Sequence, residues 1–262
     1  MTNSFYDELA PYFHLLYADW EAAILSQGAA IASLLREFGH RPGDPVLDAA
    51  CGIGTQTLGL AMHGFEVTAC DISPGELARL RSELSGRSLR AQVHLDDLRT
   101  LRNVAPASMA AIIACDNSIP HLLSDAEILQ CFRSCYRSLR PQGIVLLSVR
   151  DYAAIERKSP DVRPYGMRHL DGDRFLAVQV WEWDEDHYDL RLYLTREFAD
   201  GRCETKILCS RYYAVSIARL SELLLEAGFV DVQRKDHVLH QPVLVGRRAA
   251  DRSGRAQRIG AS

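Results

Sequence analysis

The side chains in this chain that could do chemistry gather in a few short stretches, each placed where a strand would end. Residues 45–57, PVLDAACGIGTQT, run from an apolar pair (Val46, Leu47) into an acid, Asp48, then into small residues and two glycines, Gly52 and Gly54. That pattern predicts a buried strand, a tight turn and a helix start. Glycines there let the backbone approach a ligand closely, and the helix end offers unpaired N–H groups. A dinucleotide site wants G-x-G-x-x-G, but Thr57 stands at the third glycine position, and no Gly-Lys-Ser/Thr follows for a phosphate loop. Asp48, just before the turn, is a poor neighbour for a pyrophosphate and a good one for a cation. Asp71 closes the next apolar stretch, at the distance from the glycines where an acid takes ribose hydroxyls. Asp96 and Asp97 follow a third, where a carboxylate can accept from an adenine amino group while the next backbone N–H donates to the ring. Together these residues describe a site for an adenosine ligand without phosphate, cationic or zwitterionic at its far end.

The elements that must position them alternate. Strands are expected at 45–49, 65–71, 91–95, 109–115 and 144–149, with helices at 54–63, 74–85 and 125–139 between them. Ser73-Pro74-Gly75-Glu76 and Ser124–Glu127 read as capping boxes that open the second and third of those helices. Such β-then-α units argue for a parallel sheet with helices on both faces, and there the ligand lies at the carboxyl ends of the strands. Before the sheet, Phe5, Leu9, Tyr12, Phe13, Leu16, Tyr17 and Trp20 fall at helical spacing despite Pro11. Their ordinary role is packing, but near the mouth of a ligand site they would form a lid, with Tyr12 and Trp20 against the ligand. A second helix is expected over 20–38, ended by Gly39.

After residue 150 the pattern changes. Residues 151–174 read as polar loop, whereas 175–184, 187–199 and 203–215 read as an antiparallel meander. A helix at 217–227 and strands at 229–235 and 242–247 return to the first pattern. The expected organisation is a helical lid (1–39), an α/β core (40–150), a β-rich insertion (151–215), a return to the core (216–248) and a disordered tail (249–262).

Bulk properties narrow the classes. The chain has 262 residues, 47% hydrophobic and 24% charged, an ordinary globular composition. A net charge of -4 gives no basic excess for a nucleic-acid partner, and no apolar run reaches membrane-spanning length. The N-terminus lacks a basic start followed by an apolar core, so a cytoplasmic protein is expected. Its seven cysteines are scattered, without His or Cys partners at zinc spacing; reduced thiols and no metal follow.

At this point the chain resembles the class I S-adenosylmethionine-dependent methyltransferases, over roughly residues 40 to 150 and again at the terminal strands. VLDAACGIGTQT is similar to their first motif, VTACDIS to their ribose-binding acid, and LDDLRTL to their adenine-binding loop. The resemblance implies a Rossmann-like, seven-stranded, mostly parallel sheet that takes S-adenosylmethionine and releases S-adenosylhomocysteine. It places Asp48, Gly52 and Gly54 at the methionine end, Asp71 with Ile72 at the ribose, and Asp97 with Leu98 at the adenine. Between Asp96 and Asp97 the choice stays open; the match of DLRTL favours Asp97.

A narrower resemblance is to glycine/sarcosine-type small-molecule N-methyltransferases. Asn117-Ser118-Ile119-Pro120-His121-Leu122 looks like their stretch after the fourth strand, Ser148-Val149-Arg150-Asp151-Tyr152 like that after the fifth, and Arg211-Tyr212-Tyr213 like a short stretch before their last helix. It implies that Asn117 and Arg150 hold a substrate carboxylate, with Arg211 and Tyr212 beside them. Asp151 departs from the family's Asn, and the insertion has its own sequence. For catalysis, His121, Tyr152, Tyr212 or Tyr213 would accept or orient an amine proton. Trp181 and Trp183 share one face of a strand, either as core or as an aromatic wall for a flat or cationic substrate. The expected activity is methyl transfer to the nitrogen of a small molecule, with association into a homo-oligomer left open. The alternatives are an O-, C- or heterocycle N-methyltransferase of natural-product biosynthesis, or a cofactor-binding protein without turnover.

Overall fold

The computed structural model describes residues 2–250. Helix α1 (Thr2–Leu9), a 3-10 turn (Phe13–Leu16) and α2 (Trp20–Glu37) lead into β1 (Pro45–Ala49), α3 (Thr55–Met62), β2 (Glu66–Asp71), α4 (Pro74–Gly86) and β3 (Gln92–Leu95). Next come β4 (Met109–Ala114), α5 (Asp125–Ser138) and β5 (Leu139–Ser148). Four strands follow, β6 (Asp161–Leu170), β7 (Asp173–Asp184), β8 (His187–Glu197) and β9 (Cys203–Tyr213), then α6 (Ile217–Glu226), β10 (Phe229–Lys235) and β11 (Val243–Arg248).

Strands β1 and β4, and β5 from Gly143 onward, are short apolar runs buried along nearly their whole length, which only helices on both faces of a sheet can provide. They form the middle of a seven-stranded sheet in the order β10–β11–β5–β4–β1–β2–β3. Strand β11 runs antiparallel to β5 and β10, and the other pairs are parallel. This is the Rossmann-like α/β fold expected from the alternation. From β1 the chain winds outward through β2 and β3, then returns to β4 on the other side. The order therefore reverses between β1 and β4, and a crevice opens at their carboxyl ends. Helices α2 and α3 cross with their backbones in contact: a Cβ on Gly28 would lie 2.6 Å from the Cα of Gly59. That contact sets Trp20, at the start of α2, beside Thr55, at the start of α3.

The insertion is a separate antiparallel sheet in the order β6–β7–β8–β9. Its inner face, including Phe175, Trp181, Tyr188, Leu192 and Tyr212, joins the same apolar core as α1, α5 and α6.

Two expectations change. The aromatic helix over 5–20 breaks: α1 stops at Leu9 because Pro11 has no N–H and its ring disfavours helix in the residue before it. The stretch expected as loop contains β6, concealed by Pro164, Gly166 and its polar side chains. It is an edge strand, and a register shift between Pro164 and Gly166 absorbs the missing donor. The expected disordered tail falls largely on residues 251–262, outside the described residues; β11 itself runs to Arg248. All seven cysteines are free thiols. Among the described residues no helix is long and apolar enough to cross a membrane.

Candidate active site

A cavity of about 380 Å³ occupies the crevice at the ends of β1 to β4. The chain leaves β1 through three left-handed residues, Ala50 (φ 61°), Gly52 (53°) and Gly54 (96°). A Cβ at Gly54 would also lie 2.2 Å from Leu80 Cδ1 and would force that buried leucine to shift. Beneath the turn Asp48 is buried and accepts a 2.6 Å hydrogen bond from the Thr57 hydroxyl, while among the described residues its Oδ1 has no partner. Thr57 thus uses the third-glycine position to orient an acid. Burial pushes the Asp48 carboxyl up to about 7, against the Thr57 bond.

Asp71, at the end of β2, is organised by backbone: Gly52 N–H donates to one oxygen (3.0 Å) and Ser73 N–H to the other (2.9 Å). The neighbouring pair of acids divides its work. Asp96 is buried and its oxygens accept from the N–H groups of Asp97, Arg102 and Asn103, which ties the loop together. Asp97 lines the cavity with Leu98, forked by Arg99. Burial opposes its charge, but Arg99 outweighs that and holds Asp97 below its ordinary range. Arg99 also pairs with Glu127 (2.6 Å), which is why Glu127 caps α5 through Leu123 N–H and does not close a reciprocal box with Ser124. Tyr17 donates to Asp116 (2.8 Å), as does Gln56 (3.0 Å), closing the wall opposite Asp71.

Beyond Asp116, two residues that line the cavity, Tyr6 and His121, touch Tyr212 of the inserted sheet. His121 Nε2 and the Tyr6 hydroxyl share a 2.6 Å hydrogen bond, Tyr6 reaches Tyr212 (3.3 Å), and the His121 and Tyr212 rings lie 4.1 Å apart. His121 Nδ1 is buried and has no partner among the described residues. Burial, with Arg150 adding, lowers His121 to about 3, so its imidazole is neutral at ordinary pH. Asn117 (φ 66°) is buried; its Oδ1 accepts from Arg150 N–H (3.0 Å) and its Nδ2 donates to Tyr152 (2.8 Å), whose hydroxyl also meets that of Tyr188 (3.0 Å). Tyr188 stacks between Trp181 (4.3 Å) and Tyr212 (5.0 Å), and Trp181 donates to Gln179. The Arg150 guanidinium lies 5.3 Å from the Trp181 ring centre.

Several expected site residues lie elsewhere. Strand alternation puts Tyr212 inward and turns Arg211 and Tyr213 to the other face of β9. There Arg211 pairs with Asp184 and Asp189, and Tyr213 donates to Asp125. Trp20 does not line the cavity: its indole N–H holds Thr55 Oγ1 (2.8 Å) from below. Tyr12 packs on Phe175 (5.6 Å). With the helix broken at Pro11, the lid rings that reach the cavity are Tyr6, Phe13 and Tyr17. Asn117 and Tyr152 brace the site, and their polar groups are used by each other and by neighbours.

Residues 46–143 match a methyltransferase domain family. Over 215 residues the chain is 31% identical to the glycine/sarcosine N-methyltransferase of Parasynechococcus marenigrum (strain WH8102), covering 82% of this chain and 72% of that protein. The chain belongs to the class I S-adenosylmethionine-dependent methyltransferases. DesVI of Streptomyces venezuelae has the same fold, with a TM-score of 0.75 at 18% identity, covering 87% of this chain and 92% of that one. So does the S-adenosylmethionine-bound amino pentose methyltransferase of Micromonospora echinaspora, with a TM-score of 0.73 at 17% identity over 86% and 92% of the two chains.

The cleft of this methyltransferase fits such a donor on its own features. Asp48 keeps an unmatched buried oxygen beneath the turn. Among the charged groups lining the cavity, Asp71, Glu76, Asp96, Asp97, Asp116 and Glu127 are acids, and Arg99 is shared by two of them. A cation is favoured there and a phosphate is not. Sequence reading missed Gln56, Glu76 and Tyr6 as cavity residues. Asp116 was legible by the same strand-end rule that selected Asp71.

The neutral His121 carries a stability consequence. An unfolded histidine takes a proton near 6.5, whereas the folded one resists until about 3. Between those values the unfolded chain binds the extra proton, so stability falls as pH drops. Urea unfolding at pH 7 and 4.5 is expected to show a loss about 2 kcal/mol smaller in His121→Gln than in the unmodified protein.

Proposed function

We propose that this methyltransferase moves a methyl group to the nitrogen of a small amine that also carries a carboxylate. The observation that supports this most is the Arg150 guanidinium. It is part-buried among Tyr152, Tyr165, Tyr188 and Tyr212, and among the described residues it has no carboxylate and no hydrogen-bond acceptor. A cation withdrawn from water without an anionic partner is costly, and a carboxylate taking both arms of the fork would offset that. The glycine/sarcosine specificity in the relative's name agrees with such an acceptor.

S-adenosylmethionine, when bound, supplies an electrophilic methyl group on a cationic sulfur. Asp71 and Asp97 would hold its ribose and adenine, and Asp48 its ammonium end. Arg150 would fix the acceptor's carboxylate and so aim its amine toward the cleft. The amine must be neutral to attack, and the neutral His121, held through Nε2 by Tyr6, presents Nδ1 to orient it. Alignment and exclusion of water by the lid rings supply most of the gain, which for well-oriented partners reaches about 7–11 kcal/mol. One feature favours a second reading: the stacked Trp181–Tyr188–Tyr212 rings would also flank a flat acceptor, as an O-, C- or heterocycle N-methyltransferase requires.

The test is release of S-adenosylhomocysteine across a panel of glycine, sarcosine, other amino acids, carboxylate-free amines, phenols and heterocycles. Turnover confined to carboxylate-bearing amines is expected. Turnover confined to phenols or neutral heterocycles would support the second reading, and binding without turnover on any of them would favour a non-catalytic role.

A further inference from the structure

Glu76 is left over from the assignments above. Sequence spacing makes it the reciprocal arm of a capping box, yet the structure forms only half of that box. Glu76 N–H donates to Ser73 Oγ (3.1 Å), but Ser73 N–H is already taken by Asp71 (2.9 Å), so the Glu76 carboxyl has nothing to cap. It turns instead to the cavity wall, 2% exposed, where a Cβ on Gly52 would lie 3.4 Å from Oε2 and 3.6 Å from Oε1. Among the described residues neither oxygen has a hydrogen-bond partner, and Oε1 is fully shielded. A buried carboxyl with no donor, beside the acid that the fold devotes to a sugar, requires a partner.

We propose that Glu76 is a second ribose-reading group of the donor cleft, pairing with one hydroxyl of the ribose diol while Asp71 pairs with the other. The inference rests on the donor reading of this cleft. Adjacent buried carboxyls do not both ionise, and their surroundings decide which keeps its proton. Burial raises the Asp71 carboxyl above its ordinary range too, but the N–H groups of Ser73, Gly52 and Ile72 oppose that and favour its charged form. Glu76 has no such donors. Burial pushes it well above its ordinary range, and Asp71 on β2 and Asp7 on α1 add to that. Asp7 is itself occupied by the Ser73 hydroxyl (2.6 Å) and Gly75 N–H (2.8 Å), and the other titratable neighbours, Tyr6, Tyr17 and Cys51, are neutral, since burial raises each of them well above its ordinary range. The wall therefore offers a ribose an ionised acceptor in Asp71 and a protonated donor in Glu76, one for each hydroxyl.

Calorimetric titration of S-adenosylhomocysteine and its 2′-deoxy and 3′-deoxy analogues into the unmodified protein, Glu76→Met and Glu76→Gln tests this. Glu76→Met is expected to weaken S-adenosylhomocysteine about tenfold and one deoxy analogue likewise, while the other, lacking Glu76's partner, binds equally to both proteins. Glu76→Gln, which can still donate, is expected to stay within about threefold. Equal losses against all three ligands, no loss against any, or a Gln variant as weak as Met would overturn the role of Glu76. If the unmodified protein bound none of the three, the donor reading would fail and this inference with it, a result distinct from the others.

Discussion

Arg150→Met is expected to lower kcat/KM for a carboxylate-bearing amine about a thousandfold and to leave the affinity for S-adenosylhomocysteine unchanged. Truncating one member of a buried, hydrogen-bonded charge pair costs about 2–5 kcal/mol, and about 4 kcal/mol is three orders of magnitude in rate. The loss would come from the acceptor, because Arg150 does not line the donor cavity. Stability is the control. Without a ligand the guanidinium has no ion pair to lose, and methionine fills a similar volume among the tyrosines without burying a charge, so urea unfolding should show the variant as stable as the parent or more so. The backbone contact from Arg150 N–H to Asn117 survives any substitution except proline. Lysine restores a point charge and not the fork, so Arg150→Lys is expected to remain at least about tenfold below the parent. An equal loss for a neutral acceptor would remove Arg150 from carboxylate recognition.

How far the sequence could be read follows from where each constraint is written. The donor half is local: a turn that needs glycine at Gly54, an acid at the end of β2 and a pair of acids at the end of β3 are each fixed by a few consecutive residues. Strand alternation with helices then brings them to one edge of the sheet. Thr57 shows the limit, since only the structure reveals that it holds Asp48 and does not merely fail to be glycine. The acceptor half depends on contacts between distant segments. Pro11 decides which lid rings point inward, and the register of β8 against β9 decides that Tyr212 and not Tyr213 faces His121. Strand β6 was concealed because an edge strand tolerates proline and polar residues that a central strand would not. Glu76 was legible as a cap, but competition from Asp71 for the same N–H group was not.

Asp71→Ala is expected to weaken S-adenosylhomocysteine about a hundredfold or more, and Asp71→Asn to recover little of that. Loss of one charge-assisted hydrogen bond is worth about 1.5–3 kcal/mol, and an ionised acceptor in a buried cavity wall sits at the upper end. The asparagine result follows from geometry. Both Asp71 oxygens accept from backbone, one from Gly52 N–H at 3.0 Å and the other from Ser73 N–H at 2.9 Å. An amide must turn its NH₂ toward one of those N–H groups, which breaks either the glycine turn or the start of α4. Asparagine therefore trades a lost charge for a donor facing a donor. The fold should respond much less than the ligand. Removing Asp71 frees the N–H groups that serve it, but it also removes a buried carboxylate that is costly to desolvate, so the two effects offset in part. Calorimetric titration alongside urea unfolding separates these: a large loss of affinity with a small change in stability is expected. Full affinity in Asp71→Ala would place the ribose elsewhere in the cavity and undo the assignment of the acids around it.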